Sequence, residues 1–136
     1  MKHALEIGLI IAAAGQFCVA ALNLSLVRIM GWKEDVTRMP LLIREVFHVH
    51  AWFISLTLAI FATITIRFAA QMADGSEPIY RWVACLIGVF WAVRAVIQVT
   101  YYSSSHWRGI VPCTIMHVIL LAAYSVLTAV YLTAAL

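Results

Sequence analysis

The stretch Val46–Ile66, VFHVHAWFISLTLAIFATITI, decides the fold of this chain because it contains no acid, lysine or arginine. A helix of about 20 predominantly apolar residues is long enough to cross the hydrocarbon core of a bilayer. Pro40, a residue suited to the first turn of a helix, lies shortly before the stretch, and Arg67 follows it. The stretch is therefore predicted to form a membrane-spanning helix.

The composition of the whole chain also indicates a lipid environment. Of its 136 residues, 65% are hydrophobic and 11% are charged, whereas about 25% of the residues in an ordinary soluble domain are charged. This composition excludes a soluble globular domain, a disordered chain and a nucleic-acid-binding domain. Cys18, Cys85 and Cys113 lie in apolar stretches without a CxxC spacing, so neither a disulfide framework nor a structural zinc site is predicted.

Three further apolar stretches complete a set of four predicted spans within one transmembrane domain, residues 1–136. The spans are predicted at residues 6–29, 41–70, 79–102 and 110–134. Residues 73–78, with the sequence ADGSEP, form a short connection rich in turn residues, so spans two and three are expected to be antiparallel neighbours. The predicted fold class is an all-α, integral-membrane, four-helix antiparallel bundle with short loops.

The basic residues near the span ends predict an orientation in the membrane. Loops one and three are flanked by Arg28, Lys33, Arg38, Arg44 and Arg108, and the opposite side by Lys2, Arg67 and Arg81. Because lysine and arginine concentrate on the cytoplasmic side, loops one and three are expected in the cytoplasm and both termini outside.

Polar residues within the spans are predicted to point into the bundle, because a polar side chain exposed to lipid is costly. A helical wheel places one small and polar face of span two at Glu45, His48, Trp52, Ser55, Ala59 and Thr63. The corresponding stripe of span three is Trp91, Arg94, Gln98 and Tyr101, and that of span four is Cys113, His117, Tyr124, Thr128 and Tyr131. His50 falls on the opposite face of span two and is expected to meet a partner subunit or a pigment.

The depths of these residues predict a single polar layer. Because successive spans run in opposite directions, residues at matched distances from the ends beside loops one and three lie at nearly the same level. The layer is predicted to contain Asn23, His48, Arg94 and His117, with Glu45, Gln98 and Tyr101 beside it toward those loops.

A b-type haem is the first interpretation of this layer. His48 and His117 are the candidate axial ligands, and Arg94 is the candidate partner of a propionate. Gln98 and Tyr101 are further hydrogen-bond donors. This interpretation makes the chain a cofactor-binding subunit in membrane electron transfer.

Three alternatives use the same residues. In the first, Glu45, His48 and His117 bind one transition metal. In the second, His48 or Glu45 titrates in a proton-conducting path. In the third, the polar layer is structural, with Arg94 paired to Glu45, and the chain is a non-catalytic accessory or assembly subunit of a larger membrane complex.

Two general expectations hold for every interpretation of the layer. Association through the spans, as a homo-oligomer or a hetero-oligomer, is expected because the loops offer little surface. The sequence shows no general base beside a nucleophile, so it does not predict whether the chain is an enzyme.

Overall fold

The computed structural model describes residues 1–101 and 111–136, and of Pro112 only the backbone. The helices are α1 (Lys2–Ile29), α2 (Lys33–Arg38), α3 (Leu41–Asp74), α4 (Pro78–Thr100) and α5 (Val111–Ala135). The described residues contain no strand, and all helices except α2 are long and apolar enough to cross a membrane. The predicted all-α fold with four membrane-length helices is confirmed, and the chain is an integral, multi-pass membrane protein. The predicted third loop, residues 103–109, lies outside the described residues.

Local sequence explains where the helices end. After α1, Gly31 adopts the left-handed region at φ 69°. The N–H of Trp32 then bonds to the carbonyl of Val27 at 2.9 Å, and the N–H of Gly31 bonds to that of Arg28 at 3.3 Å. This pair of bonds is the Schellman motif, which satisfies carbonyls that the helix leaves without partners. Pro78 lies in the first turn of α4, where its missing N–H has no cost.

Helix α3 is longer than the membrane core requires. A continuous helix of 34 residues would extend about 51 Å, whereas the hydrocarbon core is about 30 Å thick. The backbone leaves helical geometry at Phe68, with φ −123° and ψ 20°. The uncharged stretch Val46–Ile66 therefore lies within the helix, with several residues of helix beyond it at each end.

The helices divide into two compact units. The first comprises Met1–Ala12 and Phe68–Leu136, and the second comprises Ala13–Arg67, so that α1 and α3 each contribute to both. In the first unit, Gly88 of α4 lies against Leu132 of α5. Further along α4, Gln98 contacts His117, which precedes Leu132 in α5. The two helices are therefore antiparallel.

Polar contacts join helix ends within the first unit. Lys2 of α1 forms an ion pair with Asp74 at the end of α3. Arg81 of α4 donates hydrogen bonds to the backbone oxygens of Ala135 at 3.0 Å and of Leu136 at 2.7 Å. A cation beside the last carbonyls of a helix satisfies their hydrogen bonds and interacts favourably with the helix dipole.

The predicted contact face of span two is wrong. The buried residues of α3 are Ser55, Leu58, Ala62, Thr65, Ala69, Met72 and Ala73. Of the predicted face only Ser55 is buried, while Glu45, His48, Trp52 and Thr63 are exposed. The reason is that lipid tails are as apolar as a leucine-rich helix surface, so hydropathy does not separate a lipid-facing side from a packed one.

Gly88 allows the close approach of α5 to α4. A Cβ atom at this position would lie 2.8 Å from Leu132 Cδ2 and 3.2 Å from the Leu132 backbone nitrogen. We predict that Gly88→Ala lowers the free energy of unfolding by about 1–3 kcal/mol, because α5 must shift to admit the methyl group. The measurement is the unfolding midpoint in mild detergent with increasing denaturing detergent.

The matched control is Gly8→Ala, where the added Cβ would lie at an ordinary 3.9 Å from Val130 Cγ1. We expect Gly8→Ala to unfold at or above the midpoint of the unaltered chain, because alanine favours the helix. Equal midpoints for Gly88→Ala and the unaltered chain would contradict the close approach.

Candidate functional site

An aromatic stack joins α4 and α5 within the first unit. The rings of Trp91 and Tyr124 lie 5.3 Å apart between centroids with an interplanar angle of 25°. Both side chains are buried, Trp91 at 1% exposure and Tyr124 at 4%. Arg94, one turn after Trp91, places its Cζ atom 4.8 Å from the centroid of the Tyr124 ring. This is a cation–π contact, which is stronger when water is excluded.

Gln98 connects Arg94 to the neighbouring helix. Arg94 Nη1 donates to Gln98 Oε1 at 3.0 Å, and Gln98 Nε2 lies 3.0 Å from His117 Nδ1. Gln98 is 5% exposed, while Arg94 and His117 are half-buried. We call Arg94, Gln98 and His117 the α4–α5 relay. The relay is a continuous set of polar contacts across the interface of two membrane-length helices.

Arg94 determines which groups of the relay donate and which accept. A guanidinium group only donates, so Gln98 must present its carbonyl oxygen to Arg94 and its amide nitrogen to His117. Because the amide nitrogen of Gln98 carries only donors, Nδ1 of His117 accepts the hydrogen bond. The ring proton of His117 is therefore assigned to Nε2.

The second unit has its own polar contact, between α1 and α3. Asn23 Nδ2 donates to the Ala51 carbonyl at 2.9 Å and to Ser55 Oγ at 3.0 Å. Ser55 Oγ in turn donates to the Ala20 carbonyl at 3.1 Å. These three bonds join the two helices through one amide and one hydroxyl, a common way of joining helices in membranes.

The structure brings together three of the five residues predicted for a haem site. Arg94, Gln98 and His117 form the relay, whereas Tyr101 is 82% exposed at the C-terminal end of α4. His48 belongs to the second unit and His117 to the first. Their pairing as axial ligands of one haem stays a prediction.

The histidines of α3 are both exposed and are both bonded to their own helix. Nδ1 of His48 lies 2.7 Å from the Arg44 carbonyl oxygen, and Nδ1 of His50 lies 2.9 Å from the Val46 carbonyl oxygen. A carbonyl only accepts, so each Nδ1 donates, and each Nε2 points away from this bond. Glu45 is also exposed.

The predicted metal ligands are divided between the units in the same way. Glu45 and His48 lie in the second unit and His117 in the first, and this ligand set stays a prediction. The same holds for the suggested pair of Arg94 and Glu45. Among the described residues, no three histidine, cysteine, aspartate or glutamate side chains form a group that could hold a metal ion.

The chain matches no protein-family model, and no curated protein or solved structure shows significant similarity to it. The candidate site therefore has to be interpreted from its own geometry.

The contacts at Gly88 and Arg81 are among those that were not predicted from the sequence. The sequence contains a pattern that indicates the close approach of α5 at Gly88. Ala84 and Gly88 form the small-xxx-small spacing that is typical of close helix pairs. The contact of Arg81 with the end of α5 has no local signal, because its partner lies far along the chain.

The relay makes a prediction about stability. Gln98→Leu removes the donor to His117 Nδ1 and the acceptor of Arg94, so both groups lose a partner in a low-dielectric environment. We predict a loss of about 1–3 kcal/mol in the free energy of unfolding, measured in mild detergent.

The control for this substitution is Thr100→Ala on the same helix, because among the described residues Thr100 Oγ1 bonds to the Val96 carbonyl of its own helix and to no other helix. We expect this variant to unfold close to the unaltered chain. A Gln98→Leu variant as stable as Thr100→Ala would show that the relay contributes nothing to packing.

Proposed function

We propose that this chain is a non-catalytic accessory subunit of a larger membrane assembly, in which the α4–α5 relay is structural. The proposal rests on the hydrogen bonds of the Gln98 side chain. Its carbonyl oxygen accepts from Arg94, and its amide nitrogen donates to His117. A histidine that binds haem iron through Nε2 has its proton on Nδ1 and donates it. In the relay, Nδ1 of His117 accepts instead, which favours a packing role.

The outward face of α3 supports association with another membrane protein. His50 is exposed within a membrane-length helix, and its neighbours Phe53 and Ile54 are 66% and 47% exposed. An imidazole at this position is costly in lipid, and residues of this kind generally find a partner. A helix of a different protein covering this face would supply a hydrogen bond to Nε2 of His50.

A b-type haem in membrane electron transfer is the second candidate. It is favoured by the proximity of three predicted residues in the relay and by the ring of His48, whose Nδ1 donates to a backbone carbonyl. That arrangement of Nδ1 is usual for a ligating histidine. If His117 bound iron through Nε2, its Nδ1 would have to donate a proton, so the Gln98 amide would have to rotate and present its oxygen to His117. The NH₂ group of Gln98 would then face the guanidinium of Arg94, and both of these groups are donors.

An absorption spectrum separates the two candidates. We expect the purified protein, air-oxidised and then reduced with dithionite, to show neither a Soret band nor a sharp alpha band. A Soret band that is lost in both His48→Ala and His117→Ala but kept in His50→Ala would replace the proposed function with haem binding.

Association is tested by purification from native membranes in mild detergent. We expect a different membrane protein to accompany the chain in fixed ratio. Because a lost interfacial contact of about 1.4 kcal/mol weakens binding tenfold, we expect His50→Ala to raise the Kd for that partner about tenfold and so to lower its ratio to the chain. His48→Ala is the matched control, since His48 has the same kind of backbone bond on another side of α3. A chain that purifies with no other protein would contradict the accessory role.

A further inference from the structure

Three basic side chains of the second unit have no partner within the described part of the chain. Arg28, Lys33 and Arg44 form neither an ion pair nor a side-chain hydrogen bond with any described residue. We call these three residues the basic cluster. The other lysine and arginine residues that the structure describes each interact with another group of the chain, and they are Lys2, Arg38, Arg67, Arg81 and Arg94.

The turn after α1 places Arg28 close to Lys33. The N–H of Trp32 bonds to the carbonyl of Val27 at 2.9 Å, so the backbone turns tightly here. These two bonded residues directly precede Lys33 and Arg28 in the chain. Both basic side chains are exposed. The first two cations of the cluster are therefore held together by one backbone turn.

The contact between α1 and α3 places Arg44 at the same end of the unit. Asn23 of α1 donates to the Ala51 carbonyl of α3 at 2.9 Å, and the two helices are antiparallel. Arg28 lies five residues after Asn23, about 7.5 Å along its helix. Arg44 lies seven residues before Ala51, about 10.5 Å along its helix. Both arginines therefore lie toward the same end, at levels about 3 Å apart.

This end of the second unit lies at the membrane surface. Residues 7–27 and 46–66 contain no acid, lysine or arginine. Arg28 directly follows the first of these stretches, and Arg44 lies two residues before the second. Charged residues at the ends of apolar spans lie among lipid headgroups. Trp32 is 40% exposed, and tryptophan is enriched at this level. Lipid headgroups therefore surround the basic cluster.

The acidic residues nearby do not neutralise the cluster. Glu34 pairs with Arg38 at 3.7 Å. Glu45 directly follows Arg44, and consecutive side chains of a helix point about 100° apart. Asp35 lies in the first turn of α2 and forms no ion pair with a described residue. No carboxylate of the described chain therefore lies within ion-pair distance of the cluster.

Apolar side chains are exposed next to the cluster, on the side of the membrane centre. Leu24, one turn before Arg28 in α1, is 43% exposed. Val46 and Val49, which follow Arg44 in α3, are 47% and 53% exposed. A phospholipid combines a phosphate group with acyl chains, so it matches both the cations and the apolar surface beside them. A free phosphate would match only the cations.

We propose that the basic cluster binds the headgroup of an anionic phospholipid, with Arg28, Lys33 and Arg44 as donors to its phosphate oxygens. A guanidinium group matches two phosphate oxygens at once, and an ammonium group adds a compact positive charge. A zwitterionic phospholipid also has a phosphate, but its own ammonium group is repelled by three cations. The cluster therefore selects a headgroup with net negative charge. The inference does not depend on the proposed function, because it concerns lipid and not a partner protein.

The test measures lipid binding to the full chain. The chain is purified in a neutral mild detergent and titrated with phosphatidylglycerol or phosphatidylcholine, and bound lipid is counted by native mass spectrometry. We expect phosphatidylglycerol to bind at least about fivefold more tightly. Arg28→Gln, Lys33→Gln and Arg44→Gln should each weaken its binding about fivefold and leave the binding of phosphatidylcholine unchanged. Circular dichroism verifies that every variant keeps its helix content.

Arg67→Gln is the matched control for Arg44→Gln. It removes the same charge from the same helix, at the opposite end of residues 46–66, where Arg67 has a partner within the chain. This variant should bind phosphatidylglycerol as the unaltered chain does. Equal losses for Arg44→Gln and Arg67→Gln would show that only net charge matters and would overturn the inference, as would equal binding of the two lipids.

A soluble competitor separates a lipid site from a phosphate site. An excess of glycerol 3-phosphate should leave phosphatidylglycerol bound, because the acyl chains also contact the protein. Displacement of the lipid would assign the cluster to soluble phosphate compounds and overturn the inference. A chain without lipid preference that still purifies with a different membrane protein would refute this inference and leave the proposed function standing.

Discussion

The amide of Gln98 lies between two groups that require opposite hydrogen-bonding roles, and this constraint fixes how the polar groups of α4 and α5 meet. Arg94 can only donate, so it takes the carbonyl oxygen, and the amide nitrogen is then left for His117. Neither neighbour can change its role without disturbing the other. A single buried side chain thereby links a cation on one helix to an imidazole on the next, and determines which nitrogen of that imidazole has the proton.

Both units show how helices associate when the surrounding solvent is apolar. Burial of apolar surface gives little driving force between helices in lipid, so close approach and polar contacts decide the pairing. In the first unit, Gly88 admits Leu132 and the relay adds hydrogen bonds. In the second unit, Asn23 and Ser55 bond across the interface between α1 and α3. Each pair thus combines small residues with a few hydrogen bonds.

The polar residues of α3 differ from those of the relay because they are directed outward. His48 and His50 each satisfy one ring nitrogen with a carbonyl of their own helix, which lowers the cost of placing an imidazole in a membrane-length helix. Within the described part of the chain, no hydrogen bond is found for the other ring nitrogen of either histidine. These two histidines therefore differ from the relay, whose members bond to one another.

The sequence by itself determined the helical class and the four membrane-length helices, because charge and hydropathy identify the stretches that can cross a bilayer. It also identified part of the stripes of α4 and α5, since polar and aromatic residues repeat there at the helical period: Trp91, Gln98 and Tyr124 are buried, whereas Tyr101 is exposed. Only the tertiary structure decided which side of α3 is packed and which polar groups meet. Hydropathy does not distinguish a helix face that contacts lipid from one that contacts a neighbouring helix. The sequence analysis therefore predicted that His48 points inward, whereas it is exposed. The partners of Gln98 and Asn23 come from distant positions, and which of them lie within hydrogen-bonding distance depends on the packing of the helices.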